Sequence, residues 1–119
     1  MLKPLLAAAT ALALAMPALA GDTQIVDAKA TKSGSTWRFD VTLKHDDTGW
    51  DHYADAWRVV APDGTVLGTR TLYHPHVEEQ PFTRSLAGVA IPAGIKSVTI
   101  EARDNVHGWS GKTVKVDLN

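Results

Sequence analysis

A two-residue alternation of apolar and polar side chains is the feature that most restricts the fold of this chain. In the segment TWRFDVTLKH, residues 36–45, apolar residues occupy the odd positions from Trp37 to Leu43 and polar residues occupy the even positions. Because successive side chains of a strand point to opposite faces, this segment predicts a half-buried β-strand. Beyond residue 20 no segment has a comparable helical period, so an all-β domain is expected.

Similar segments recur along the chain and are separated by short turn sequences. Strands are predicted at about residues 23–32, 35–45, 54–61, 65–72, 81–89, 95–103 and 112–118. The turn sequences are SGS at 33–35, PDGT at 62–65 and IPAGI at 91–95, which are typical of tight connections. This pattern predicts an antiparallel immunoglobulin-like β-sandwich of about seven strands, with Trp57 in its core; a small closed barrel is the alternative.

Residues 1–20 have the features of an export signal. Lys3 supplies a short positive region, the apolar run LLAAATALALAM follows, and ALA at residues 18–20 has the small side chains of a cleavage site. The apolar run is too short to span a bilayer and is followed by Pro17. We therefore expect residues 1–20 to be a signal peptide, and residues 21–119 to form one β-sandwich domain in the periplasm.

Charge and sulfur content restrict the partners of this domain. The chain has 12 Lys and Arg against 13 Asp and Glu, a net charge of −1, which gives no bulk attraction for nucleic acid or anionic lipid. We expect neither a nucleic-acid partner nor membrane association after signal cleavage. The chain has no cysteine, and its methionines, Met1 and Met16, both lie in the predicted signal peptide. The exported domain would therefore have neither a disulfide nor a sulfur ligand.

All five histidines fall at one predicted end of the sandwich. Successive loops of antiparallel strands alternate between the two ends, so the loops at about 46–53, 73–80 and 104–111 share an end. These loops and the strand end beside them contain His45, His52, His74, His76 and His107, together with carboxylates that include Glu78, Glu79 and Asp104.

This grouping predicts a divalent metal site. Imidazole nitrogens and carboxylate oxygens are common metal ligands, and Pro75 favours an extended conformation around the histidines of the HPH sequence at 74–76. We expect His74, His76 and His107 as ligands, with His45, His52, Glu78 and Asp104 as further candidates. Without sulfur donors a Cu(I) site is disfavoured, while Cu(II), Zn(II), Ni(II) and Fe(II) fit; copper and zinc are favoured.

Several alternatives stay open at this point. Trp50, Tyr53, Tyr73 and Trp109 could form an aromatic surface for a glycan or another periplasmic protein, without metal. A small redox metalloenzyme would need an open coordination position. The histidines could also form only a polar rim, with Asp104 bonding its own loop as an Asx turn.

Two resemblances add to these expectations. The segments HPHVEEQPFTRSLAGVAIP and ARDNVHGWSGKTVKVDL resemble a set of small exported proteins of Gram-negative bacteria that are described only as uncharacterised, which implies a periplasmic β-sandwich. DNVHGWSG is also similar to the C-N-x-H-G segment of superoxide reductases, immunoglobulin-like proteins that bind iron through histidines and one cysteine. Asp104 stands at the cysteine position, so the resemblance implies His107 as a ligand but supplies no thiolate.

Overall fold

The computed structural model describes residues 22–119, and these form β-strands connected by loops and turns. The predicted signal peptide, residues 1–20, lies outside the described residues. Between residues 22 and 119, no helix is long and apolar enough to cross a membrane.

The described residues contain eight strands. The strands are β1 Gln24–Ser33, β2 Thr36–Lys44, β3 Ala54–Val60, β4 Val66–Thr71, β5 Phe82–Val89, β6 Ser97–Asp104, β7 Gly108–Trp109 and β8 Val114–Asp117. Seven of them correspond to the strands predicted from alternation. The additional strand, β7, has two residues, which is too short for any two-residue period to be visible in the sequence.

The strands form two antiparallel sheets that enclose one apolar core. The first sheet has the order β1-β2-β5; the second has the order β4-β3-β6-β7, with β8 also paired to β6. Phe39 and Leu43 from the first sheet and Trp57 and Ile100 from the second are fully buried. Burial of each such side chain stabilises the fold by about 1.5–3 kcal/mol. The predicted all-β antiparallel sandwich and the core position of Trp57 are confirmed.

Three connections meet at one end of the sandwich: residues 45–53 between β2 and β3, residues 72–81 between β4 and β5, and residues 105–107 between β6 and β7. The backbone N–H of Asn105 donates to the carbonyl of Tyr53, and the Asn105 side chain donates to the carbonyl of Trp50. The His45 N–H donates to Oε1 of Gln80. These bonds bring together the three loops that contain the histidines.

Candidate metal centre

The alternation that builds the core also directs a histidine and an aspartate inward. In β2, Val41 and Leu43 face the core, and His45 is the next residue on that face and is buried. In β6, Ala102 faces the core and Asp104 follows it on the same face, also buried. The period of two therefore places an imidazole and a carboxylate at the end of the apolar core, one from each sheet.

Local turns bring two more histidines to this carboxylate. His52 lies just before β3, in a turn closed by a bridge between Gly49 and His52. His107 lies in the three-residue connection between β6 and β7. Gly108 follows with a φ of 76°, which favours glycine, and pairs back with Asp104. The tight hairpin thus returns His107 to the carboxylate at the end of β6.

Asp104 is the centre of the resulting cluster. Its Oδ2 lies 3.6 Å from Nε2 of His45, and its Oδ1 lies 3.4 Å from Nε2 of His52 and 3.1 Å from Nδ1 of His107. The ligand atoms of His45, His52 and Asp104 all lie within 4.8 Å of one another. Three imidazoles from two of the three loops therefore surround one buried carboxylate.

Two of these imidazole nitrogens have no hydrogen-bond partner within residues 22–119, although they are buried: Nε2 of His45 and Nε2 of His52. Their distances to the Asp104 oxygens, 3.6 and 3.4 Å, exceed the roughly 2.7–3.2 Å of an N–H···O hydrogen bond. Two ligand atoms that each lie about 2.1 Å from a tetrahedral metal ion are about 3.4 Å apart. The spacing therefore fits two donors that share a cation.

The carboxyl group of Asp104 is suited to be an anionic ligand. Burial alone would raise its pKa, but hydrogen bonds from the backbone N–H groups of His107 and Val106 and from the His107 ring lower it, and the net effect is a lowered pKa. The two backbone bonds measure 2.6 and 2.8 Å. Asp104 thus bonds its own loop, as the polar-rim alternative supposes, while its oxygens also face the imidazoles.

A second buried carboxylate increases the negative charge of the cluster. The side chain of Asp47 is fully buried, and its Oδ1 lies 2.5 Å from Nδ1 of His45. His45 therefore lies between Asp47 and Asp104. Burying two carboxylates is costly unless a positive charge compensates them, either an imidazolium or a bound cation. Asp47 is not among the ligand candidates from the sequence, although the two-residue period continues from His45 to Asp47 and indicates that its side chain faces inward.

Asp22 extends the donor set on the exposed side of the cluster. It lies just before β1, and its carboxylate, that of Asp104 and a ring nitrogen of His107 all lie within 4.8 Å of one another. Asp22 is also absent from the candidates, because nothing in the local sequence pattern connects the start of β1 with the end of β6.

The structure places the histidines of the HPH sequence elsewhere on the same end. The rings of His74 and His76 lie 4.7 Å apart, and the His76 ring stacks on Phe82 with centroids 4.0 Å apart. Nε2 of His76 accepts a 2.9 Å hydrogen bond from Arg84, because a guanidinium can only donate. Burial and the charge of Arg84 lower the pKa of His76.

Among residues 22–119, the sets of three His, Asp or Glu side chains whose ligand atoms lie within 4.8 Å of one another contain neither His74 nor His76. They also do not contain Glu78, which is exposed. The predicted set of His74, His76 and His107 is therefore not one of these groups. Metal binding by His74 and His76 would require loss of the bond from Arg84 and stays a prediction.

Four aromatic side chains lie in or next to the three loops that contain the histidines. Trp50 is 65% exposed and Tyr73 is 74% exposed, and the Trp50 ring meets Tyr53 edge-on at 5.6 Å. Trp109 is half-buried, with the Arg58 guanidinium 3.7 Å from its ring centroid. Two of the four rings of the predicted aromatic surface, Trp50 and Tyr73, are thus exposed, and the hypothesis of such a surface stays a prediction.

Comparison with known proteins identifies one curated relative of similar sequence. A protein described as "Putative lipoprotein" from Halomicrobium mukohataei is 39% identical over 97 residues, which cover 81% of this chain and 47% of the relative. The chain thus spans about half the length of the curated relative it matches. No protein-family model matches the chain.

Solved structures share the fold at low sequence identity. A hypothetical protein from Pyrococcus horikoshii OT3 has a TM-score of 0.57 and 12% identity, over 91% of this chain and 99% of that protein. A superoxide reductase in the oxidised state has a TM-score of 0.53 and 11% identity, over 83% of this chain and 90% of that protein. At these identities the likeness shows a shared fold and nothing beyond it.

Proposed function

We propose that this protein is an exported metal-binding protein that holds a divalent transition-metal ion between His45, His52, His107 and Asp104. One observation carries the proposal. The buried Nε2 atoms of His45 and His52 lack hydrogen-bond partners within the described part of the chain and lie 3.6 and 3.4 Å from the two oxygens of Asp104. A cation between these atoms would satisfy both nitrogens and neutralise buried negative charge.

The donor set restricts the metal. Imidazole nitrogen and carboxylate oxygen without sulfur suit Zn(II), Cu(II), Ni(II) and Fe(II). Cu(II) has the highest intrinsic affinity for such donors among the first-row divalent ions, with Zn(II) below it. We therefore favour copper or zinc, with Fe(II) as the ion that the superoxide-reductase resemblance suggests. Buffering, delivery or sensing of the metal are the functions that such a site would serve.

The proposed location is the periplasm. The export features of residues 1–20 support this location, and the name of the Halomicrobium mukohataei relative, a lipoprotein, supports export in general. An exported domain without sulfur ligands would bind borderline metal ions through imidazole and carboxylate donors.

Metal titration of purified metal-free protein tests the proposal. Calorimetry with Zn(II), Cu(II) and, under anaerobic conditions, Fe(II) should give one site per chain. We expect His52→Ala to weaken binding by more than about tenfold, which corresponds to about 1.4 kcal/mol. His52 is the suitable position because its side chain is 24% exposed, so that truncation leaves the apolar core intact.

His74→Ala is the matched control, because His74 is an exposed histidine on the same end outside the cluster. The proposal predicts that this variant binds like the wild type. Equal affinities of the wild type and His52→Ala would contradict it. A loss of affinity in His74→Ala and not in His52→Ala would instead support the set of His74, His76 and His107.

A further inference from the structure

We propose that Asp47 is a positioning residue that sets the ring orientation and tautomer of His45 for metal binding and connects the site to the HPH loop, residues 72–81. This inference rests on the proposed function, because the ring that Asp47 holds is one of the proposed ligands. Neither Asp47 nor the HPH loop would contact the metal.

The side chain of Asp47 is fully buried and accepts three hydrogen bonds. Its Oδ1 accepts from Nδ1 of His45 at 2.5 Å and from the backbone N–H of Ala54 at 3.0 Å. Its Oδ2 accepts from the backbone N–H of His76 at 2.7 Å. The three donors come from the end of β2, the start of β3 and the HPH loop. One carboxylate therefore joins three segments behind the metal site.

These bonds determine which nitrogen of His45 is available. Backbone N–H groups can only donate, so both Asp47 oxygens act as acceptors, and Nδ1 of His45 supplies the proton in its bond to Oδ1. In the neutral ring the unprotonated nitrogen is then Nε2, which faces Asp104. A carboxylate on the far nitrogen of a metal-binding histidine fixes its tautomer and ring orientation. Asp47 is placed to have this effect on His45.

The HPH loop reaches His45 by a second route. The side chain of Gln80 accepts a 3.0 Å hydrogen bond from the backbone N–H of His45 and donates a 2.9 Å bond to the carbonyl of His76. The loop thus contacts the site through the backbone of His76 and through Gln80, while the His76 ring stacks on Phe82. The contribution of the HPH sequence to this site is positional, since these contacts do not use its imidazoles.

The variant Asp47→Asn tests the inference, with Asp46→Asn as its matched control. Asp46 is adjacent and exposed, so its replacement makes the same change in charge without touching the hydrogen bonds. In Zn(II) titrations we expect Asp47→Asn to weaken binding about 10–100-fold, as for other outer carboxylates, and Asp46→Asn to bind like the wild type. Equal affinities of the two variants would overturn the inference.

Nitrogen-15 NMR of the metal-free wild-type protein gives a readout that needs neither metal nor a folded variant. Long-range proton–nitrogen correlations should show His45 in the tautomer that carries its proton on Nδ1. An unprotonated Nδ1 in the wild type would overturn the inference even if the variant does not fold. Failure of the wild type to bind Zn(II), Cu(II) and Fe(II) would overturn the proposed function, whereas tight wild-type binding that Asp47→Asn retains would overturn this inference alone.

Discussion

Individual aspartates in this domain are held in the ionised form by nearby hydrogen-bond donors. On β2, Asp40 accepts a 2.5 Å bond from the hydroxyl of Ser85 on β5 and a 3.1 Å bond from Arg38. The Ser85 bond is the largest cause of the lowered pKa of Asp40, with burial acting against it and Arg38 adding to it. Asp104 uses backbone donors in the same manner at the end of β6.

The variant Ser85→Ala should raise the pKa of Asp40 and make the stability difference from the wild type depend on pH. Because the pKa of Asp40 is lowered in the folded state, its contribution to stability is present above the unfolded value of about 3.9 and is lost as the pH falls through the folded value. At pH 7 we expect a loss below about 1 kcal/mol, since the pair is open to solvent.

Urea unfolding from pH 7 to pH 2, with an NMR titration of the Asp40 carboxyl group, measures this effect. The exposed Ser35→Ala serves as the control. A difference between Ser85→Ala and the wild type that stays constant down to pH 2 would contradict the electrostatic explanation.

At the level of strands, a glycine lets the two sheets approach each other at their edges. A Cβ atom added at Gly68 in β4 would lie 3.0 Å from Cδ2 of Leu86 and 3.5 Å from Cγ2 of Val89, both in β5. β4 is an edge strand of the second sheet, and β5 is an edge strand of the first. Glycine in a strand often marks such a close approach, and here it allows side chains of β5 to cover β4.

Gly68→Val should therefore destabilise the domain by about 1–3 kcal/mol through overpacking against Leu86 and Val89. Gly111→Ala is the control, because a Cβ atom at Gly111 meets nothing within 4 Å. Urea unfolding monitored by tryptophan fluorescence measures both free energies of unfolding. Equal free energies of unfolding for the two variants would contradict the overpacking explanation, because they would show that the two sheets can move apart at this edge without loss of stability.

For the whole molecule, stability depends on one apolar core, because the chain has no cysteine to form a disulfide. Trp57 is among the largest fully buried side chains in the described domain. Its indole Nε1 is buried and has no hydrogen-bond partner among residues 22–119. The ring therefore stabilises the core by its apolar surface, while its N–H group reduces that gain.

We expect Trp57→Ala to lower the free energy of unfolding by about 3–5 kcal/mol, a large part of the roughly 5–15 kcal/mol that is usual for a domain. Trp57→Phe should cost less, because it keeps an aromatic ring and removes the unpaired N–H group. Thermal unfolding by circular dichroism compares the two variants. Equal losses of unfolding free energy in the two variants would contradict this expectation, because the apolar area that phenylalanine keeps would then contribute nothing to stability.

The amino-acid sequence is sufficient to predict the strands and the end of the sandwich that carries the histidines. Alternation is a local property of an extended backbone, so seven strands and the inward orientation of Leu43 and Trp57 could be predicted without tertiary information. The same period, continued past Leu43, indicates that His45 and Asp47 also face inward. Gly68 carried no such signal, because its role depends on the distance between two sheets.

Which histidines share a carboxylate depends on tertiary packing. Distances between loops depend on strand pairing and on turn geometry, which no local pattern reports. The β6–β7 hairpin returns His107 to Asp104, and the facing sheet brings His45 to the same carboxylate. His76, favoured by its HPH sequence, instead packs on Phe82 and accepts a bond from Arg84. The sequence could place five imidazoles at one end, but the packing of three loops determined their partners.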